Sequence, residues 1–269
     1  MSDLSMRTVA QPFLKWAGGK RQLIPTILEK LPAGILNGAI TKYIEPFVGG
    51  GAVFFFVRQH FPVKSFYIFD DNPDLINAYV VIRDLPEALL EELKHLASKY
   101  LSLEAENRGK LFYRIRDEYN ATGSDVSDSA TNDGKIARAA RTIFLNRTCF
   151  NGLYRVNSKG YYNVPHGRYK NPKICDEANI CSVSDVLQGV EVACGSYENC
   201  ERVTDERSFI YFDPPYRPLP NTPSFTSYSK TASFGDGDQR KLADFFALMH
   251  SRQAMLMLSN SDPRVTDED

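Results

Sequence analysis

Asp213-Pro214-Pro215-Tyr216 follows directly on the apolar run Phe209-Ile210-Tyr211-Phe212, so a carboxylate, two prolines and an aromatic ring crown what reads as a buried strand. An amine conjugated to an aromatic ring is a poor nucleophile, because its lone pair is delocalised. Two acceptors binding its two hydrogens would localise that pair, and a carboxylate and a backbone carbonyl can do so together. Pro214 offers a carbonyl with fixed φ and no competing N–H, and Tyr216 offers a ring on which a flat base stacks. Asp213, Pro214 and Tyr216 therefore form a candidate catalytic group for methyl transfer to the exocyclic amine of a nucleobase. The same residues also suit a plain turn after a strand, where Pro-Pro is common.

The elements that would position this group begin upstream. Residues 42–47 read as a short strand, Val48-Gly49-Gly50-Gly51 as a tight turn, and Ala52 onward as an apolar helix. The glycines let backbone approach a ligand, which makes Phe47, Gly49 and Gly51 candidate cofactor residues. A second strand, residues 65–70, ends in Asp70 nineteen residues past Gly51, the spacing at which doubly wound folds place a ribose-binding carboxylate. Asp70 could instead cap the following helix, with Asp71 competing for either role. Earlier still, Trp16 and Lys20 flank Gly18-Gly19 ahead of a helix over residues 21–31, a place that welcomes the carboxylate of a small ligand. Trp16 is equally readable as a core side chain.

The chain has 269 residues, 43% apolar, and a formal charge of −1, which by itself points to no acidic partner. The distribution differs from the total. Lys135, Arg138, Arg141, Arg147, Arg155, Lys159, Arg168, Lys170 and Lys173 occur in one stretch without a single Asp or Glu. Such a strip predicts a phosphate-binding surface rather than a merely solvated face. Within it, alternating residues flank Asn157-Ser158-Lys159-Gly160, the pattern of a hairpin, and a two-stranded ribbon is a shape the major groove of DNA admits.

The rest of the chain bounds the answer. Leu85, Leu89, Leu90, Leu93 and Leu96 recur at helical spacing, as do apolar positions over 111–119 and 136–145. Residues 121–135 read as an exposed loop. The five cysteines form no C-x-x-C pair and the four histidines do not cluster near them, so reduced thiols and no metal site are expected. No run of eighteen apolar residues occurs, so a soluble, cytoplasmic chain without a membrane span is expected, and nothing marks an obligate protein partner.

Taken in order, Lys15-Trp16-Ala17-Gly18-Gly19-Lys20, Glu45-Pro46-Phe47-Val48-Gly49-Gly50-Gly51, Phe150-Asn151-Gly152-Leu153-Tyr154-Arg155 with Asn163-Val164-Pro165-His166-Gly167-Arg168-Tyr169-Lys170, and Asp213-Pro214-Pro215-Tyr216 resemble the Dam-type DNA adenine methyltransferases. The similarity covers residues 11–261. It implies an α/β, Rossmann-like sheet that uses S-adenosylmethionine, formed by residues 11–80 and 190–261. A helical and β-hairpin DNA-recognition domain is inserted over residues 81–189. It further implies double-stranded DNA as substrate, adenine in GATC as target, and flipping of that adenine out of the stack.

By the same resemblance Trp16, Lys20, Asp70 and Asp213 contact the cofactor or its surroundings, and Ser196 with Tyr197 lies beside its adenine. Arg155 reads a guanine, Leu153 and Pro165 touch thymine methyls, and Phe150 with Asn151 fills the space left in the duplex. Lys15 contacts the first guanine, while Arg168 and Lys170 hold phosphates. Relatives that methylate RNA or a protein glutamine usually carry Asn at the position of Asp213 and lack the hairpin; a DNA-binding fragment without turnover is the other alternative. The family continues past residues 254–258 through a further helix and strands, whereas this sequence ends at Asp269. The C-terminal strands are therefore expected to be missing, leaving an exposed strand edge.

Overall fold

The computed structural model describes residues 9–16, 18–123, 131–216 and 234–260. Strands β1 (Lys42–Glu45), β2 (Ser65–Asp70), β3 (Val190–Cys194), β4 (Ser208–Phe212) and β5 (Met255–Leu258) pair in parallel in the order β3-β2-β1-β4-β5. Around them lie α1 (Ile24–Lys30), α2 (Gly34–Asn37), α3 (Ala52–His60), α4 (Pro73–Asp84), α5 (Pro86–Leu101), α6 (Ala105–Ala121), α7 (Asn132–Thr148), α8 (Glu177–Leu187) and α9 (Asp236–Ser251).

Parallel strands need crossovers that cover both sheet faces, which is why these strands read as nearly unbroken apolar runs. The period of two sorts their side chains into two cores. Tyr43, Phe66, Phe209 and Tyr211 join Phe54, Leu75 and Val183 on one face, whereas Ile44, Phe69, Ile210 and Phe212 meet Leu242, Phe245 and Met249 of α9 on the other. The first core continues without a break through Leu93, Phe112 and Phe144 to Tyr154, Tyr162 and Val164. The helical middle of the chain is thus joined to the sheet by shared apolar packing. Each fully buried large side chain there contributes on the order of 1.5–3 kcal/mol.

Local chemistry sets the element ends. Asn72 caps α4, its side chain accepting from the N–H of Asp74 and Leu75 at 3.0 and 3.1 Å, with Pro73 in the first turn. The cap is therefore neither Asp70 nor Asp71. The helix expected over residues 21–31 is a 3₁₀ turn, Lys20–Leu23, leading into α1. The loop expected over residues 121–135 is shorter than its composition indicates: Thr131 accepts from Gly134 N at 3.2 Å and starts α7 at Asn132. Residues 124–130 of that stretch lie outside the described residues.

The hairpin is an irregular antiparallel ribbon rather than a regular ladder. Cys149 bridges His166 and Val156 bridges Tyr162. At the tip, Asn157 Oδ1 accepts from the N–H of Lys159 and Tyr161, and Gly160 takes φ +76°. β5 ends the sheet among the described residues, with Met255 and Leu258 exposed; residues 261–269 lie outside them. No helix of the described residues is long and apolar enough to cross a membrane.

Candidate functional site

β1 and β4 are neighbours whose chain connections lead to opposite edges of the sheet, and in such sheets ligands bind at the carboxyl ends of the strands where the order reverses. A cavity of about 880 Å³ opens there. Glu45 ends β1, Asp70 ends β2 and Asp213 follows β4, so three carboxylates from three adjacent strand tips face one space.

Asp213 is mostly buried and pairs with Lys20, Oδ1 to Nζ 2.7 Å. Lys20 also donates to the Gly18 carbonyl at 2.7 Å and lies 4.7 Å from the centre of the Tyr216 ring. Burial raises the Asp213 pKa above the usual carboxylate value, and the Lys20 charge works against that rise. Burial likewise penalises the Lys20 ammonium, but the charge and hydrogen bond of Asp213 together with the Tyr216 hydroxyl outweigh it and hold the pKa above that of an ordinary lysine. Glu45 is fully enclosed; desolvation pushes its carboxyl well up, although the Tyr43 hydroxyl donates to it at 2.6 Å. Asp70 is pushed up to about 7 by burial and by Asp71, against backbone N–H donors of Gly49 and Asn72, each at 3.0 Å. Asp70 thus braces the glycine turn while lining the cavity.

The turn itself is a cradle that only glycine permits. Gly49 has φ +47°, and a Cβ there would stand 2.9 Å from the Trp16 ring; Gly51 has φ +71°, and a Cβ there would stand 2.5 Å from the Tyr79 hydroxyl. Trp16, Lys20, Phe47, Gly49, Gly51, Asp70, Asp213, Pro214, Tyr216 and Lys15 all line the cavity. Ser196 and Tyr197 do not: the Tyr197 ring stacks on Phe47, 5.4 Å between centres, and Ser196 accepts from Glu198 N. Sequence reasoning did not mark Glu45, Arg147 or Asn179 as cavity residues. For Glu45 the signal was present, an acid at a strand end just before a glycine turn. For the other two no local pattern exists, because they arrive from helices distant in sequence.

A second surface adjoins the first. Along the ribbon, Tyr154, Val156, Tyr162 and Val164 are buried in the core, Pro165 is exposed, Arg155 and Asn163 are half-buried, and Leu153 is half-buried with part of its side chain packed against that core. The Arg155 guanidinium is steadied by Asn163, Nε to Oδ1 2.8 Å. Phe150 is half exposed, at 50%, and the exposed Asn151 adopts φ +55° with its N–H on the Tyr169 hydroxyl. Lys15, Arg168 and Lys170 are exposed as well, and the Lys15 ammonium lies 5.1 Å from the Tyr169 ring centre. The eight residues expected to touch DNA are therefore gathered at the ribbon, the residues just after it, and the strap formed by residues 10–16 beside it.

The basic strip needs a correction. Arg138 is buried and makes a two-pronged ion pair with Asp74 of α4, at 2.7 and 3.0 Å, where the hydroxyls of Tyr119 and Tyr154 also donate. Its guanidinium faces the Tyr119 ring at 3.4 Å. Arg147 is half-buried and donates to the Phe13 carbonyl at 2.7 Å. Arg138 is thus no part of a phosphate surface: its partner carboxylate comes from outside the stretch in which none was found.

A doubly wound parallel sheet with a ligand cavity at its switch point is the build of a nucleotide-cofactor α/β enzyme. Residues 16–268 match the family described as D12 class N6 adenine-specific DNA methyltransferase. The chain is 49% identical over 251 residues to the Type II methyltransferase M.MjaIII of Methanocaldococcus jannaschii, covering 93% of this chain and 84% of that protein. It is 39% identical to the Type II methyltransferase M1.LlaDCHI of Lactococcus lactis subsp. cremoris, covering 96% and 84%. To the DNA adenine methylase of Escherichia coli strain K12 it is 33% identical, covering 95% and 82%. The chain belongs to the D12 class of N6 adenine-specific DNA methyltransferases.

Proposed function

We propose that the protein methylates the exocyclic amine of adenine in duplex DNA, at GATC, using S-adenosylmethionine and a flipped target base. The observation that carries this reading is the convergence of Asp213, Pro214 and Tyr216 with the glycine cradle on one cavity, beside a ribbon whose outward face carries Arg155. The residues present fit the cofactor. Gly49 and Gly51 let the turn lie tight against Trp16 and Tyr79 with its backbone on the cavity, and Asp70, on the tip of β2, is an acceptor suited to ribose hydroxyls. Trp16 and Phe47 would hold the flat and sulfonium parts, and Lys20 the carboxylate end, with Tyr197 stacked on Phe47 and Ser196 beside it in sequence.

When bound, S-adenosylmethionine supplies an electrophilic methyl group on sulfur. Asp213 and the Pro214 carbonyl accept the two hydrogens of the amine and turn its lone pair toward that carbon. Tyr216 stacks on the base and holds it in place of its former neighbours. Proximity carries most of the acceleration, and the methylated amine loses its proton to Asp213 or to water. Residues 81–189 act as the recognition insertion: Arg155 reads a guanine, Leu153 and Pro165 meet thymine methyls, Phe150 and Asn151 fill the gap, Lys15 contacts the first guanine, and Arg168 and Lys170 bind phosphates.

Incubation with labelled S-adenosylmethionine and duplexes with or without GATC tests the reading. Label on adenine N6 only in the GATC duplex is expected. Label on both duplexes equally would overturn the site assignment, and label on neither would overturn the activity.

A further inference from the structure

Residues 10–16, which carry Lys15 and Trp16, belong to no strand of the sheet, and side-chain amides take the place of a strand partner. Gln59 of α3 accepts from Ala10 N at 2.9 Å and donates to Ala10 O at 3.1 Å. Asn179 of α8 makes the same pair with Gln11, at 2.9 and 3.0 Å. Asn146 of α7 makes it with Lys15, at 2.8 Å in both directions.

Asn146 does one thing the others do not. Its Nδ2 also donates to the Gly152 carbonyl at 2.9 Å, so one buried amide binds the strap and the turn Phe150–Gly152 of the ribbon at once. Its two hydrogens and its oxygen are all engaged, and the group is 2% exposed. The two segments also touch directly: Gly152 has φ +64°, and a Cβ there would stand 2.3 Å from the Lys15 side chain. A few ångströms along, the Tyr154 ring stacks on Trp16, 5.4 Å between centres at 25°.

We propose that Asn146 is a positioning residue that couples the DNA-reading ribbon to the cofactor site, so that duplex and cofactor each strengthen binding of the other. This rests on the functional reading above. A turn that shifts when a duplex seats on Phe150 and Asn151 cannot move without pulling Lys15 through this amide, and Trp16 is the next residue. Coupling of this kind is reciprocal, so it can be read from either ligand.

The test uses the intact chain and titrates S-adenosylhomocysteine with and without a duplex that the wild type methylates. The wild type is expected to bind it on the order of tenfold more tightly with duplex present. In Asn146→Ala that ratio falls to within about twofold, whereas Gln59→Ala, which frees only the far end of the strap, keeps it. Gly152→Ala, which drives the turn and Lys15 apart, lowers the ratio as well and decides the matter if Asn146→Ala does not fold by circular dichroism. A wild-type ratio near one, a ratio untouched in the deciding variant, or an equal loss in Gln59→Ala overturns the proposal. Failure of the wild type to label any duplex overturns the functional reading instead, a separate outcome.

Discussion

The Lys20 ammonium lies 2.7 Å from Asp213 Oδ1, a contact between the first turn of the chain's N-terminal helical segment and the tip of β4, almost two hundred residues apart. Both side chains are largely withdrawn from solvent, and the Lys20 charge opposes the rise that burial imposes on the Asp213 carboxyl.

Replacing Asp213 separates its two roles. Asp213→Ala is expected to lower kcat by about 10²–10³-fold, the usual loss for one preorganised electrostatic partner. It also leaves Lys20 buried without its counter-charge, and breaking such a pair costs about 3–5 kcal/mol. Single-turnover methylation and a thermal melt read the two effects. Label transfer at the wild-type rate would refute the catalytic role.

Asp70 predicts a pH dependence with a definite sign. In the folded chain its carboxyl is pushed up to about 7, against the ordinary 3.8. Between those values the folded state binds more protons than the unfolded one, so this group's contribution to stability is full at low pH and is lost as pH rises through about 7. Asp70→Asn is expected to flatten that part of the melting-temperature profile between pH 5 and 8. If the ionised form holds the ribose, wild-type affinity for S-adenosylhomocysteine rises over the same window and the variant's does not.

The outward ribbon residues should divide by what they contact. Arg155→Ala is expected to cost about 1–3 kcal/mol of binding and to relax preference at one base pair, whereas Lys170→Ala weakens all duplexes alike and reduces the salt slope by about one. Binding isotherms on matched and single-mismatch duplexes at several salt concentrations distinguish the two.

Arg138 gives the opposite expectation from its neighbours in sequence. Arg138→Ala leaves Asp74 buried without its cation, which costs about 3–5 kcal/mol in a denaturant melt. The salt dependence of DNA binding should not change, and a reduced salt slope would restore Arg138 to the phosphate surface.

Much of this was legible in the chain. The strand Ser65–Asp70, the helix opening at Ala52 and the carboxylate after β4 were marked by period and punctuation, because both report on burial that the residues themselves record. The clustering of Trp16 and Lys20 with Asp213 followed from the resemblance and not from spacing. What stayed hidden was pairing over long separations. Nothing near Arg138 announces Asp74, and nothing near Asn146 announces the backbone of Lys15. The boundary of α7 was missed because residues 121–135 are mostly small and polar with no helical apolar period, and the single Thr131 cap carries the signal.

The ribbon's alternation has a consequence for how such a chain changes over generations. Tyr154, Val156, Tyr162 and Val164 are constrained by the common interior, and Leu153 in part by the same packing, while Arg155, Asn163 and Pro165 lie outside that core. Substitutions at these three positions are expected to leave folding almost indifferent, so this face of the ribbon can change its chemistry where stability exerts little veto.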